Sequence, residues 1–261
     1  MADSTRTAGI PSPFLEVRNL HKRFGAVNAL QGVSLSVNQG EVLGLLGDNG
    51  AGKSTLIKTI AGVHSPSSGQ LFCEGKEVAI SSPDTAHALG IETVFQDLAL
   101  VPNLCVADNF FIGRELTWKL LGGGLKVMKL RAMERAAAET LEKLDIHIPS
   151  LRVTVDSLSG GQRQAIAIAR ALRWKAKLVV LDEPTAALSV QEQRKVLALT
   201  RQLADEGVAV IYITHNILDV LRVTDRIVVL YRGQVAGELT TAQTTEHEIV
   251  STIMGGKHRM Q

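Results

Sequence analysis

Aromatic side chains are scarce. Phe, Trp and Tyr together make up 4% of the 261 residues, too few for the stacking platforms on which single-stranded nucleic acid is bound. A charge excess is also missing. Lys and Arg number 28 against 26 acids, a net of +2, so nothing steers a polyanion strongly toward the chain. Cys73 and Cys105 stand far apart with no C-x-x-C pair. That excludes a disulfide framework and fits reduced thiols in a cytosolic protein. No apolar run nears the ~18 residues that a spanning helix needs, which argues against a channel. The opening MADSTRTAGIPSP has one Arg and no apolar stretch. It lacks the pattern of a secretory signal and reads as a flexible tail over 1–13. Internal repeats are absent.

What is present is ordinary core-forming material, 45% hydrophobic and 21% charged. FLEVRNLHKRF and GVSLSVNQGE alternate, with Val33, Leu35 and Val37 on one face, and predict an antiparallel strand pair. GQLFCEGKEV reads as a further hairpin turning at Glu74-Gly75. EVLGLLG, IETVF, KLVVLD, VAVIYITH and DRIVVLYRG have the length and composition of buried strands. KSTLIKTIAGV and QEQRKVLALTRQLADEG read as helices. Between about Leu98 and Arg173 the text looks mostly helical. Leu130, Met133, Ala137, Leu141 and Leu144 recur at helical spacing, after a loop at Gly122 to Gly124. The pattern predicts an α/β domain over 14–245 with a helical insert at about 98–173 and a tail over 246–261.

Two glycine-rich turns carry the chemistry. GDNGAGKST, Gly47 to Thr55, matches G-x-x-x-x-G-K-[ST] between a strand and a helix. Its residues Gly47, Asp48, Asn49, Gly50, Ala51, Gly52, Lys53, Ser54 and Thr55 suit a nucleotide triphosphate. Glycines let backbone N–H groups turn inward around phosphate oxygens, and the helix N-terminus adds partial positive charge. Lys53 can reach the β- and γ-phosphates, and the Ser54 hydroxyl can hold Mg2+.

In open α/β sheets, ligands lie beyond the carboxyl ends of the strands. IETVF runs into Gln96, KLVVL into Asp182-Glu183, and VAVIYIT into His215. If these strands neighbour the phosphate-loop strand, all four polar groups converge on the γ-phosphate. Asp182 can anchor Mg2+. Glu183 can orient or deprotonate a water. Gln96 can touch the metal or that water, and His215 can hydrogen-bond the γ-phosphate. Taken singly, each also suits a loop or a helix start. The second turn, LSGGQ, opens the helical run QRQAIAIARAL with Ser159 placed as N-cap. It is a second candidate anion site.

With GDNGAGKST, Gln96, LSGGQ, LVVLDEP and His215 in that order, residues 14 to 240 resemble the ATP-binding-cassette ATPases. The resemblance implies a phosphate-loop, RecA-like core with an antiparallel β subdomain and the helical subdomain as insert. It implies that two copies pair head to tail. Each ATP would then be held by Gly47–Thr55 of one copy and by Ser159, Gly160, Gly161 and Gln162 of the other. Phe24, in HKRFG, matches the position whose ring stacks on adenine. One departure stands out. AALS, Ala186 to Ser189, replaces the family's SALD, whose Asp contacts the opposite phosphate loop.

The stretch Val94 to Glu115, with DNGAGKST and AALS, resembles the ATP-binding subunits of bacterial importers for ribose, xylose and fructose, the fructose type most. Most of that group are two fused cassettes, whereas one is present here. The resemblance therefore implies a homodimer, peripheral on the cytoplasmic face of the inner membrane. Its partners would be integral membrane permease subunits and a periplasmic sugar-binding protein, with no nucleic acid. The segment Leu98 to Arg114 would receive a coupling helix of the permease. The alternative is a soluble clamp of the same ATPase type acting on nucleic acid or ribosomes. A long coiled coil or a second fused cassette would favour it, and neither is present. An exporter motor is a third reading, set aside only by the resemblance.

Overall fold

Val42–Gly47, Leu178–Asp182 and Ala209–Ile213 are too short to be buried helices and too apolar to face water on either side. In the computed structural model they are the central strands of a parallel sheet. Residues 13–120 and 125–258 are described. The first twelve residues of the sequence-read tail and the Gly122 to Gly124 loop lie outside them.

In chain order the strands and helices are β1 (Leu15–Phe24), β2 (Val27–Val37), β3 (Val42–Gly47), α1 (Lys53–Ile60), β4 (Ser68–Cys73), β5 (Lys76–Val78) and α2 (Pro83–Ala88). Next come β6 (Ile91–Val94), α3 (Val106–Phe111), β7 (Thr117–Leu120), β8 (Leu125–Met128), α4 (Leu130–Lys143) and α5 (Gly160–Arg173). The last are β9 (Leu178–Asp182), α6 (Val190–Asp205), β10 (Ala209–Ile213), α7 (Ile217–Val223), β11 (Arg226–Tyr231), β12 (Gln234–Thr240) and α8 (Glu246–His258).

The main sheet runs β12-β11-β3-β10-β9-β6. Its strands are parallel except for the β11–β12 hairpin. Side chains of β10 alternate between two cores. Val210 and Tyr212 join one with Phe110, Met133, Ile166 and Val196 of α3, α4, α5 and α6. Ala209, Ile211 and Ile213 join the other with Leu56 and Ile57 of α1 and Val17 and Val33 of the second sheet. That sheet, β2-β1-β4-β5, is antiparallel throughout, as the alternation predicts. Each buried Leu, Ile or Phe contributes about 1.5–3 kcal/mol, so both layers are firmly held against the strands that carry the site.

The insert is less helical than the sequence reading expects: α3, α4 and α5 cover under half of residues 98–173, with non-helical stretches between them. Within it, Thr117–Leu120 and Leu125–Met128 form an antiparallel strand pair, with Trp118 opposite Val127. Its β-branched and aromatic residues outweigh the helical text around it. In α4, Met133, Ala137 and Leu141 are buried as the spacing predicts, with Leu144 just beyond its end, whereas Leu130 is exposed. The tail assigned to 246–261 also needs correction. Most of it is α8, whose Ile249 is fully buried against Leu46, Ile227 and Val229. A capping box starts this helix: Thr245 N–H donates to Glu248 Oε2 at 2.9 Å and Glu248 N–H to Thr245 Oγ1 at 3.3 Å.

Candidate nucleotide site

Because β6, β9, β10 and β3 are parallel neighbours, their carboxyl ends open on one side of the sheet. A cleft of about 630 Å³ lies there. Its walls are Asp48 to Thr55, Gln96, Asp182, Glu183, Arg232 and the start of β2. The convergence that the sequence made conditional on strand order is therefore realised for Gln96, Asp182 and Glu183.

The loop's shape follows from its glycines. Gly47 has φ +150°, and a Cβ there would sit 2.3 Å from the Leu230 carbonyl oxygen. Only glycine lets the chain leave β3 so close to β11. Helix α1 then starts at Lys53 with no side-chain cap. Its first N–H groups are left for a ligand at the positive end of the helix. Lys53 Nζ donates to the Gly47 carbonyl at 2.5 Å and to that of Asp48 at 3.1 Å. Burial pulls the Lys53 pKa down, against the pull of Glu183, Asp182 and Asp48. Burial pushes the Asp182 carboxyl up, and Glu183 beside it adds to this, while Lys53 opposes it. The site thus gathers like and unlike charges around Lys53 and Asp182.

Glu183 sits at φ +50°, a left-handed conformation that costs a non-glycine residue about 1 kcal/mol or more. Its N–H still donates to the Ile213 carbonyl at 2.9 Å. The carboxylate is held at both oxygens. Thr214 Oγ1 donates to Oε2 at 3.1 Å, and His215 Nδ1 lies 2.9 Å from Oε1. His215 is itself largely exposed and reaches the cleft through Glu183 rather than as part of its wall.

Phe24 is not drawn into the cleft. It sits half-exposed at the end of β1, edge-on to His64 at 5.1 Å between centroids, with Lys22 Nζ 4.9 Å from its ring. Ser159, Gly161 and Gln162 line a different cavity, between α5 and α6. Gly160 and Gly161 approach Leu188 and Glu192 of their own chain. One copy therefore does not bring its two glycine turns together.

The sequence reading missed several residues. Arg232 and Thr214 flank the cleft and its carboxylate. Thr214 adjoins His215 in the text, a signal that was available. Arg232 becomes relevant only because β11 lies beside β3. Behind the cleft, Thr185 Oγ1 donates to Asp219 Oδ2 at 2.7 Å and lies 3.4 Å from the Tyr212 hydroxyl, all of them buried. Arg170 of α5 donates to the Leu98 and Ala99 carbonyls at 3.1 and 2.9 Å. It thereby ties the loop after Gln96 to the insert.

Residues 30–186 match the family model described as ABC transporter. The xylose/arabinose import ATP-binding protein of Sulfolobus acidocaldarius is 50% identical, over 93% of this chain and 94% of that one. The fructose import ATP-binding protein of Rhizobium meliloti is 40% identical, over 94% and 95%. The ribose import ATP-binding protein of Yersinia pestis is also 40% identical, but the chain spans about half its length, 46%. Among solved structures, an ATP-binding cassette of an ABC transporter in its ADP conformation superposes with a TM-score of 0.78 at 29% identity, covering 93% of this chain and 95% of that one. A dimeric bacterial ABC transporter cassette gives 0.72 at 26%, covering 87% and 98%. On its phosphate loop, its strand order and these likenesses together, the chain belongs to the ATP-binding subunits of the ABC transporter family.

Proposed function

We propose that this chain hydrolyses ATP as the motor subunit of a monosaccharide importer. Its relatives named for xylose/arabinose, fructose and ribose import support the sugar class. Nothing among them favours a clamp on nucleic acid or ribosomes. The observation that carries the reading is the cleft in which Lys53, Gln96, Asp182 and Glu183 meet beside an uncapped helix N-terminus.

In this reading the amides of Gly47 to Thr55 and the Lys53 ammonium hold the β- and γ-phosphates. Glu183, fixed by Thr214 and His215, orients a water toward the γ-phosphorus and accepts its proton. His215 then contacts the γ-phosphate from the exposed side. The donor set Ser54 hydroxyl, Gln96 amide oxygen and Asp182 carboxylate consists of hard oxygens with one charge. That suits Mg2+ shared with phosphates and water. Bound there, Mg2+ would neutralise charge developing on the phosphoryl oxygens. Phe24 stacks on an adenine that projects past Val27 at the mouth of the cleft.

The second side of the triphosphate is supplied by Ser159, Gly160, Gly161 and Gln162 of a second copy, since a single copy keeps them apart from its own cleft. The dimeric cassette among the structural relatives supports this pairing. No helix among the described residues is long and apolar enough to cross a membrane. The relatives named as import ATP-binding proteins support a place beside separate integral permease subunits, with this chain peripheral on the cytoplasmic face of the inner membrane. A periplasmic binding protein would deliver the sugar.

The test is Glu183→Gln. It should retain ATP binding, lose turnover and accumulate as an ATP-loaded dimer in size-exclusion chromatography. Hydrolysis at the parent rate would overturn the role of Glu183. Uptake of labelled xylose, arabinose, fructose and ribose by cells lacking the gene tests the importer reading, which unchanged uptake of all four would sink.

A further inference from the structure

The N-terminal end of α5 already holds an anion, and it comes from the same chain. Glu192 lies in the first turn of α6. Its Oε2 accepts the Ser189 hydroxyl at 2.8 Å and the Ser189 N–H at 3.1 Å. Its Oε1 accepts the Gly161 N–H at 3.0 Å. The Ser159 hydroxyl stands near this carboxylate and, with Ser189 and Gly161, lowers its pKa to about 2. The approach is close enough to require glycine, because a Cβ at Gly161 would sit 2.6 Å from Glu192 Cγ. The partner-facing turn and the Ala186–Ser189 loop are thus joined through one carboxylate.

Proton counting makes this arrangement exclusive. Gly161 has a single N–H to give. The Gly161 N–H is directed to Glu192, so it is not free for a phosphate oxygen while the carboxylate stays. Two anions crowded on the same donor also repel each other.

We propose that Glu192 occupies, in the single copy, the place that the terminal phosphate of the partner's ATP takes in the closed dimer, so that nucleotide capture must release it. This rests on the paired-site reading above. Release of Glu192 also frees the hydroxyl and N–H of Ser189. Arrival of ATP at α5 therefore loosens the loop that leads back, through Thr185 and Pro184, to the same copy's Glu183. Glu192 is a positioning residue: it touches neither ATP nor water, and it sets the ATP concentration at which two copies close.

The experiment compares Glu183→Gln with the double variant Glu183→Gln/Glu192→Gln, following dimer formation against ATP concentration by sedimentation velocity. Glutamine keeps the size of the side chain and removes its charge. The double variant should reach half-dimer at on the order of tenfold less ATP. ATP affinity of the dilute monomer, read by calorimetry at the Lys53 site, should stay the same. Glu192→Asp, one methylene shorter, withdraws the charge from Gly161 and should shift the half-point in the same direction. An equal or higher ATP requirement in both variants overturns the proposal and leaves Glu192 as a strut between α5 and α6. If Glu183→Gln alone stays monomeric at high ATP and high protein, the paired-site reading falls, and this inference with it.

Discussion

Replacing Thr185 by valine should destabilise the fold by about 2 kcal/mol and slow hydrolysis, although Thr185 does not line the cleft. The hydroxyl donates to Asp219 at 2.7 Å. Thr185 is 4% exposed, Asp219 2% and Tyr212 0%, so no water replaces the lost proton. Valine has the same shape, and packing changes little. The loss is that of a hydrogen bond to a charged group, about 1.5–3 kcal/mol, moderated by the favourable placement of Asp219 in the first turn of α7. For a chain of this size ~2 kcal/mol lowers Tm by roughly 4–8 °C. Differential scanning calorimetry without nucleotide reads it directly. A double-mutant cycle with Asp219→Asn isolates the pair and should return a coupling of about 1–2 kcal/mol. The kinetic effect arises from position. Thr185 lies two residues after Glu183, and Asp219 four after His215. Loosening their bond lets the Glu183–His215 pair shift, which should lower kcat on the order of tenfold with little change in KM. A Tm within about 1 °C of the parent, or additive single variants, would refute the reasoning.

Other outcomes are as specific. Lys53→Ala should lose nucleotide affinity in calorimetry, and unchanged binding would contradict the phosphate-loop reading. Phe110→Ala, at a fully buried position between α3, α4 and α5, should be destabilising by about 3–5 kcal/mol in urea unfolding, and a cost under ~1 kcal/mol would mean that the insert is loosely packed. Burial pushes the Cys73 thiol up to about 11. At pH 8 only about one molecule in a thousand carries the thiolate. Alkylation of folded protein should therefore spare Cys73 and rise with pH toward 11, whereas rapid labelling at pH 8 would contradict its burial.

The site was legible where the sequence states both chemistry and context at once. Lys53 and Ser54 stand between a strand and a helix, and Gln96, Asp182 and Glu183 each end an apolar run. Parallel pairing then brings them together with no further condition. Phe24 could not be placed in this way, because its position depends on how the end of β1 pairs with β2 and meets His64. The Thr185–Asp219 bond was equally hidden. Its partners meet only because β9 and β10 are neighbours, a fact of topology that no local pattern carries. The β7–β8 strand pair was missed because four-residue strands give too little alternation to overcome flanking helical text. Helix α8 was missed although Thr245 and Glu248 spell a capping box and Ile249, Val250, Ile253 and Met254 follow at helical spacing, a signal that was available.

Ser189 reads differently once its surroundings are known. From the sequence, serine in place of the family's aspartate removes a charge and leaves a hydroxyl to face the opposite copy. In the structure that hydroxyl caps α6 and donates to Glu192. The negative charge is therefore not lost from this corner but stands three residues later, turned inward onto Gly161. An aspartate at 189 would cap α6 equally well, but it could not donate a proton to Glu192, and two carboxylates would repel at this spot. Serine at 189 and glutamate at 192 are consequently one choice rather than two. Restoring aspartate at 189 alone should weaken the hold on Gly161, and restoring it together with Glu192→Gln should relieve the conflict. The non-additivity of those two changes in melting temperature measures how tightly the two loops are joined.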